Sequence, residues 1–346
     1  MQSKKYSRDN AGQSLKKYIL LKQGELAYNH GASKAKQFGC CYELTKPEAR
    51  IPYVYHCFKI NNQEYTPFIA MALNNAKMDK QLKRLVSSSV RMDGLLNISF
   101  EDYMSVTIHL PSFSEQKHIA DFLQKIDERI VAQEKLLASL KKYKRGLLNK
   151  VFSKTDGKIY PTVYLSEVAD FLQGLTYSPS DVAKSGYLVL RSSNIQNGIL
   201  SFDDCVYVDK SIPENLQVKY ADVIMCVRNG SKNLVGKSAL IPNDMPMTTW
   251  GAFMMIVRSK LNDTYIFHYL NSQMFFSQVF KDTGTATINQ ITKGILNECK
   301  LPLPPVEERR NISKILSSFD AKIQNEERNI VALMEAKKAL LQQLFI

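Results

Sequence analysis

Two long segments of the chain carry apolar residues at heptad spacing. One begins at Leu110 and the other at Leu303, and they align without a gap along their whole length. Each opens with Leu-Pro, continues with an acidic first turn and then keeps apolar residues at two heptad positions, a pattern typical of a coiled coil. The predicted interface residues are Ile119, Leu123, Ile126, Ile130, Leu137, Leu140 and Leu147 in the first copy, and Ile312, Leu316, Phe319, Ile323, Ile330, Leu333 and Leu340 in the second.

The two copies are predicted to form long helices that pair in antiparallel orientation. At 1.5 Å per residue, each helix would measure about 55–60 Å. Pairing within one chain buries both apolar stripes on each other. The alternative, two separate helices packed on their own domains, leaves the regular heptad unexplained.

Polar residues interrupt both stripes at matching places, Gln133 and Glu326 at one and Lys144 and Lys337 at the other. A polar residue at such a position commonly sets the register of a coiled coil. The hypothesis is that Lys144 faces Glu326 and that Lys337 faces Gln133. A shift of one heptad, which places Lys144 against Phe319, keeps the apolar seam and increases the overlap.

A globular stretch of mixed character precedes each heptad segment. Apolar runs separated by Gly, Asn and Pro turns predict strands, and each stretch contains one predicted amphipathic helix, within residues 66–86 and 264–280. The fold class is therefore α+β, with two mixed α/β domains separated by an antiparallel coiled coil. The predicted boundaries are 1–109, 110–153, 154–302 and 303–346.

The two globular stretches differ in length. Ser33 and Lys34 align with Ser231 and Lys232, so that residue 1 corresponds to about residue 197. The segment from Tyr160 to Ile195 then has no counterpart in the first half. The first domain is predicted to lack the opening elements of the second.

The composition is that of well-packed cores with a basic surface. The 346 residues are 45% hydrophobic and include 46 Lys and Arg against 33 Asp and Glu, a net charge of +13. Such a balance favours a polyanionic partner. The six cysteines and five histidines show no metal-ligand spacing, and no apolar run predicts a signal peptide or membrane span. A reducing cytoplasm, reduced and mostly buried thiols, and no metal are expected.

The segment "GSKNLVGKS" (230–238) resembles a phosphate-binding loop but departs from it in two ways. Five residues separate the first Gly from Gly-Lys-Ser, where such a loop needs four, and Pro242 and Pro246 oppose the helix that should follow. An ATP-using enzyme is accordingly the third and remotest interpretation.

The repeated Leu-Pro and leucine-rich helices, "LPSFSEQKHIADFLQKIDERI" and "LPPVEERRNISKILSSFDAKI", resemble those of type I restriction-modification specificity subunits. The resemblance extends to "YILLKQGELAYN" and the terminal "KKALLQQLF". It implies two target-recognition domains that each read one half of a split double-stranded DNA target in the major groove. The paired helices would fix the gap, since about 55–60 Å spans about 16–18 base pairs.

The same resemblance implies a non-catalytic subunit within a DNA methylation complex. Two methyltransferase subunits would dock on the helices, and restriction subunits would join through them. Methyl transfer and ATP-dependent cleavage would belong to those partners, so this chain needs no catalytic residue, cofactor or membrane. The shortened first half instead suggests a truncated gene product, a cassette for recombination or a chain that pairs with another fragment.

Candidate DNA contacts combine Arg and Lys with small polar side chains in predicted loops, groups that bind base edges and phosphates. For every cluster the alternative is an ordinary solvated loop or a turn held by backbone capping. For the whole chain the alternative is a coiled-coil scaffold that binds protein without recognising DNA. The candidates are Arg191, Ser193, Asn194, Arg228, Asn229, Ser231, Lys232, Lys237, Thr285, Thr287 and Asn289 in the second domain, and Ser33, Lys34, Lys36 and Arg91 in the first.

Overall fold

The computed structural model describes residues 18–31, 36–61, 63–86, 96–153, 160–280 and 290–345. The chain divides into two compact units. The first unit combines residues 1–135 with 328–346, and the second comprises residues 136–327. Two long helices, α4 (Phe113–Phe152) and α9 (Val306–Leu344), each contribute one part to each unit.

The described residues of the first unit form two small antiparallel sheets and three short helices in addition to the long ones. Strands β1 and β4 form one sheet, and the other has the order β3-β2-β5. The strands are β1 (Tyr18–Lys22), β2 (Leu26–Asn29), β3 (Cys40–Glu43), β4 (Glu48–Pro52) and β5 (His56–Phe58), and the helices are α1 (Thr66–Ala72), α2 (Ala76–Leu85) and α3 (Phe100–Met104).

The main core of the first unit is built from residues of β2, β3, β5 and the short helices, while β1 and β4 contribute to a smaller apolar cluster. Tyr28 of β2 stacks on Tyr103 of α3 with ring centroids 4.0 Å apart, and both side chains are buried. Phe345, at the end of the second heptad segment, packs against Phe68 of α1 at 5.2 Å. Helix α1 and Phe345, which are far apart in the sequence, therefore share one core.

The second unit is built around two four-stranded sheets, with the orders β15-β9-β12-β8 and β14-β13-β16-β7. Two further pairs, β10 with β11 and β17 with β6, complete it. The strands are β6 (Thr162–Tyr164), β7 (Ala169–Gln173), β8 (Val182–Ala183), β9 (Tyr187–Leu190), β10 (Ile195–Gln196), β11 (Ile199–Leu200), β12 (Tyr207–Val208), β13 (Val223–Cys226), β14 (Ser238–Leu240), β15 (Thr248–Trp250), β16 (Met254–Ser259) and β17 (Lys300–Pro302).

The described residues of the second unit also form four short α-helices, α5 (Leu165–Val168), α6 (Tyr265–Leu270), α7 (Gln273–Val279) and α8 (Lys293–Glu298). Strands β13 and β16 are almost fully buried and run through continuous apolar sequence, as expected for central strands. Phe152, the repeat counterpart of Phe345, packs against Tyr265 of α6 at 5.1 Å. Each unit thus contains the Phe that lies at the end of, or directly after, one long helix.

The prediction of a single amphipathic helix in each half is wrong in one respect. Residues 66–86 form two helices, α1 and α2, and residues 264–280 form α6 and α7. The Asn75 side chain accepts a hydrogen bond from the Met78 amide, and the Ser272 side chain accepts one from the Phe275 amide. Such N-caps start a new helix and end the run of the preceding one. The apolar periodicity continues across both junctions, so the sequence pattern does not indicate that one helix ends and another begins there.

The pairing of the two long helices is confirmed within each unit. In the second unit Lys141 contacts Glu327 at 2.6 Å and Tyr143 stacks near Phe319 at 5.2 Å, so the later residue of α4 meets the earlier residue of α9. The helices are therefore antiparallel. All fourteen predicted interface residues are buried or half-buried, while the positions between them are mostly exposed.

The predicted register is wrong by close to one heptad. Lys144 donates a hydrogen bond to Asp320 rather than facing Glu326, and Lys337 donates one to Asp127 at 2.5 Å rather than facing Gln133. The observed register pairs each ammonium with a carboxylate that flanks the apolar stripe. In the predicted register only Lys144 would meet a carboxylate, whereas Lys337 would face a neutral amide. Charge pairing of both lysines therefore favours the observed register.

A buried polar cluster lies beside the Lys144–Asp320 pair in the second unit. His268 of α6 is fully buried, with its Nε2 atom 3.2 Å from Ser317 Oγ and its Nδ1 atom 3.9 Å from Asp320 Oδ2. Burial, reinforced by the Lys144 charge, lowers the pKa of His268 to about 3. Burial also raises the pKa of Asp320, against the opposing effect of Lys144. His268 is therefore neutral at physiological pH.

Candidate nucleic-acid interface

The loop that joins β13 to β14 contains five of the candidate DNA contacts. The strands pair in antiparallel fashion, and the Cys226 amide donates to the Lys237 carbonyl at 2.8 Å, so residues 227–237 form the tip of a hairpin. A single 3-10 turn, Lys232–Leu234, folds the tip. The sequence prediction that this loop lies between two strands is confirmed.

The hairpin excludes the phosphate-loop interpretation of residues 230–238. The Gly-Lys-Ser triplet runs directly into strand β14 rather than into a helix. Ser238 is buried, and its hydroxyl accepts a hydrogen bond from Asn271 Nδ2 at 3.0 Å. The backbone amides therefore do not converge at a helix start, as phosphate binding by such a loop requires.

Arg228 is the most prominent cation of the hairpin. Its guanidinium lies over the ring of Phe253 at 5.4 Å, and the Phe253 side chain is itself 59% exposed. The Arg228 amide donates to the Phe253 carbonyl at 3.2 Å, and Arg228 forms an antiparallel bridge with Gln290. Arg228 is exposed, and a guanidinium that lies over an aromatic face retains N–H donors for other partners.

Asn229 joins the hairpin tip to a second candidate cluster. Its side-chain oxygen accepts from the Ser231 amide at 2.9 Å, which fixes the turn, and its Nδ2 donates to Ser192 Oγ at 3.3 Å. Ser231 and Lys232 are exposed, and Lys237 is half-buried. The structure thus brings the 228–232 and 191–194 clusters side by side, although about forty residues separate them in the sequence.

The second cluster divides into an accessible residue and a structural one. Arg191 is one-third exposed and contacts Asp204 Oδ2 at 2.8 Å. Asn194 is fully buried, accepts from the Arg191 amide at 2.9 Å and donates to the Ser201 and Asp204 carbonyls, each at 3.0 Å. All its hydrogen-bonding capacity stabilises the turn, so we leave Asn194 out of the DNA-facing surface. Ser193 is half-buried beside it.

In the first half only Lys36 among the candidates lies within the described residues. Its Nζ donates to the Asn74 carbonyl at 3.1 Å. That bond holds the start of β3 close to the α1–α2 junction. The candidates Ser33, Lys34, Arg91, Thr285, Thr287 and Asn289 lie outside the described residues.

Sequence reasoning missed Phe253 and Asp204, which position the two arginines. Phe253 lies between Gly251 and the buried run of β16, where an exposed aromatic is unusual, and that contrast was a usable signal. Asp204 carries no comparable signal because acidic residues are common in turns.

The described residues show no group of three or more His, Cys, Asp or Glu side chains placed to hold a metal. Across the same residues, no helix is long and apolar enough to cross a bilayer. Cys41, Cys226 and Cys299 are buried, and the remaining three thiols are half-buried, so the expectation of mostly buried thiols holds for only half of them.

The family model described as "Type I restriction modification DNA specificity domain" matches residues 14–142 and 160–335. The chain belongs to this family. The two matched regions coincide with the two halves of the internal repeat. The expected resemblance to specificity subunits is thereby confirmed.

Curated specificity subunits are similar to this chain over part or most of its length. The EcoKI subunit of Escherichia coli is 28% identical over 167 residues, which cover 46% of this chain and 36% of that subunit. The StySPI subunit of Salmonella potsdam is 26% identical, with 41% of its length covered. The MjaVIII subunit of Methanocaldococcus jannaschii is 24% identical over 288 residues, covering 77% and 67%. The chain thus spans well under half of the first two relatives.

Solved specificity subunits have the same fold. The S subunit of a type I system from M. genitalium aligns with a TM-score of 0.61 at 16% identity, covering 96% of this chain and 85% of that one. A chain solved in a study of complex assembly and conformational transition of the type I R-M system aligns with a TM-score of 0.58, also at 16% identity, covering 96% and 84%. The α+β fold with two long helices is confirmed.

Proposed function

We propose that this chain is the DNA sequence-recognition subunit of a type I restriction-modification complex and that it carries no catalytic site of its own. It reads a bipartite target through the major groove, with residues 1–109 and 154–302 as the two recognition domains. Residues 110–153 and 303–346 form the spacer. Methyltransferase subunits, and restriction subunits through them, supply the chemistry.

The observation that carries this proposal is the exposed hairpin tip with Arg228 over Phe253. A guanidinium that is fixed from behind presents two parallel N–H donors, which match the O6 and N7 acceptors of guanine in the major groove. Lys232 and Ser231 lie exposed on the same tip and suit phosphate oxygens. Arg191, Ser193, Asn229 and Lys237 border this surface, and Thr285, Thr287, Asn289, Ser33, Lys34, Lys36 and Arg91 remain candidates of the same kind.

The long helices support the docking of partner subunits. Phe122 in the first unit and Ile315 in the second are repeat counterparts, and both are apolar and about half exposed, at 51% and 50%. The same exposed apolar position thus occurs once in each copy of the repeat. Two equivalent positions suit two copies of one methyltransferase subunit.

The test is the salt dependence of DNA binding by the chain in complex with its methyltransferase. A DNA reader neutralises phosphates and releases counterions, so its affinity should fall steeply as salt rises. Methylome sequencing of cells that express the complex would identify the bipartite target. Methylation without any split motif, or affinity that does not change with salt, would contradict the proposal.

A protein-binding scaffold without DNA recognition is the second candidate. The exposed apolar residues of the long helices favour it, because they need no DNA to be explained. It predicts that the complex assembles with methyltransferase but binds neither specific nor random duplexes. The same titration therefore separates the two functions.

A further inference from the structure

The opening segment of the second unit supplies partner strands for three other strands. Strand β6 pairs with β17, through Leu301 and Val163. Strand β7 pairs with β16 along five residues, and β9 pairs in parallel with β15. Between β6 and β7, the single turn of α5 places Leu165 fully inside the core. Residues 161–190 therefore complete three sheet edges of this unit.

The first unit contains a counterpart of each strand that receives these partners. Strand β2 pairs with β5 through Leu26 and Phe58, just as β13 pairs with β16 through Ile224 and Ile256. Strand β5 is therefore the counterpart of β16. Helices α3 and α8 begin 193 residues apart, after Ser99 and Thr292. The hydroxyl of each of these residues accepts a hydrogen bond from an amide in the first turn of the helix. Residues 107–109 accordingly correspond to β17.

The counterparts in the first unit end in open edges. Within the part of the chain that the structure describes, strand β5 is the last strand of its three-stranded sheet, and β4, which corresponds to β15, pairs with β1 alone. Residues 107–109 form no strand, and none of the described strands lies beside them. On their opposite side, the backbone of residues 107–109 is held as β17 is held in the second unit. The Gln81 side chain hydrogen-bonds the Thr107 backbone, and the Gln278 side chain hydrogen-bonds the Lys300 backbone in the same way.

Burial shows the same difference between the two units. Residues Met254–Val257 of β16 are at most 2% exposed, whereas all of β5 is half-buried. Leu301 is fully buried, and its counterpart Ile108 is half-buried. Leu110, which directly follows this edge, is 43% exposed, whereas its counterpart Leu303 is half-buried. The first unit thus leaves apolar side chains and strand edges uncovered where the second unit covers them.

We propose that the first unit binds a polypeptide segment with the pattern of residues 160–196, a strand, one helical turn and further strands, which is not part of these 346 residues. Backbone hydrogen bonds along the open edges supply affinity, and apolar residues at the positions of Val163, Leu165 and Phe171 supply specificity. The bound segment completes the first recognition domain. Because this binding does not require DNA, its test is independent of the test of the proposed function.

Two other occupants fit less well. A second copy of the chain holds its own residues 160–196 within a finished sheet, with Leu165 fully buried and Phe171 at 5% exposure, and releasing them would expose that core. Residues 1–17 have a polar, basic sequence without the Val, Leu, Val and Phe spacing of residues 163–171.

The experiment adds a labelled synthetic peptide of residues 160–196 to the full chain and follows fluorescence anisotropy. We expect saturable binding of one peptide per chain, with new amide-exchange protection at His56–Phe58 and around Ile108. A peptide with Leu165→Asp and Phe171→Asp should bind at least about tenfold more weakly. In the chain, Ile108→Pro should weaken binding similarly, while Phe202→Asp, at an exposed apolar site of the second unit, should not.

Three results would overturn the proposal. The first is that the folded chain shows no saturable binding up to about 100 μM peptide, a concentration that detects even weak docking. The double-Asp peptide could bind as well as the parent peptide. Protection could instead change at Met254–Ser259 and Lys300–Pro302, which would mean that the peptide replaces the chain's own segment. The peptide comparison and the exchange map decide the matter even if Ile108→Pro fails to fold.

Discussion

Lys337 donates a hydrogen bond to Asp127 at 2.5 Å in the first unit, and their repeat counterparts Lys144 and Asp320 form the same pair in the second unit. One lysine and one aspartate, each occurring twice along the chain, thus define a single register for α4 and α9. Because both pairs interrupt or border an apolar stripe, an alternative register would leave charges against apolar side chains.

Removing Lys144 tests the contribution of this pair to stability. The side chains of Lys144 and Asp320 are 15% and 25% exposed. Lys144→Met should lower the free energy of unfolding by about 1–3 kcal/mol, because it leaves a largely buried carboxylate unpaired. The matched control is Lys141→Met, whose lysine is half exposed in its pair with Glu327 and should cost less than about 1 kcal/mol. Urea unfolding measures both, and equal losses would contradict a specific role for Lys144.

His268 should make stability depend on pH. Its pKa is lowered to about 3 in the folded chain by burial, whereas in the unfolded chain it has the ordinary value near 6.5. Between these values the unfolded state binds more protons, so the free energy of unfolding falls as pH falls through that window, by up to about 1.4 kcal/mol per pH unit. Above about pH 6.5 the effect vanishes.

The variant His268→Gln isolates this contribution from that of other titrating groups. The groups that face His268 are Thr264, Ser317, Asp320 and Lys144. Asp320, with its raised pKa, titrates in the opposite sense in both proteins. Urea unfolding from pH 7 to pH 4.5 should therefore show a shallower decline in the variant. Parallel curves would show that His268 does not titrate as its burial requires.

Gln133 should be a site at which stability can be raised. It occupies a heptad position of α4, and its Oε1 atom is buried without a hydrogen-bond partner. Gln133→Leu should increase the free energy of unfolding by about 1 kcal/mol, since it extends the apolar stripe and removes an unsatisfied oxygen. Lys135→Leu, at an exposed position of the same helix, should change it by less than about 0.5 kcal/mol. A loss of stability in Gln133→Leu would mean that a water or side chain satisfies the amide.

Arg228 and Lys232 should affect DNA binding differently. If Arg228 reads a base, Arg228→Ala costs about 1–3 kcal/mol on the specific duplex and relaxes one position of one half-site. Lys232→Ala should weaken specific and random duplexes alike and reduce the salt slope by about one. Arg191→Ala is expected to behave as Arg228→Ala does. Anisotropy titrations of the methyltransferase complex measure these effects, with Lys210→Ala as an exposed control in the same unit. Equal losses on both duplexes for an arginine change would remove it from the base contacts.

The architecture was predictable because the repeat appears directly in the sequence. The heptads of α4 and α9 fixed two helices and their antiparallel pairing, since only pairing buries both stripes. Their register was not predictable, because heptad spacing is satisfied equally after a shift of seven residues. The decisive contacts, Asp127 and Asp320, lie just outside the stripe, where a heptad pattern gives no information.

The hairpin loop was predictable, but the role of each residue in it was not. Apolar runs on either side predicted strands β13 and β14, so the loop and its cations could be placed. Whether an Asn binds DNA or holds a turn depends on tertiary neighbours. Asn194 is buried against the Ser201 and Asp204 carbonyls, a contact that its local sequence could not reveal.

The packing of Phe345 against Phe68 has a consequence for how the protein is made. Helix α1, which contains Phe68, leaves the ribosome early, but the Phe345 ring that packs against it can leave the exit tunnel only after all the residues between them have been synthesised. Until then, the part of the first unit that contains Phe68 remains partly uncovered. Chaperones that shield nascent apolar surface should bind this partly uncovered core until Phe345 packs against it.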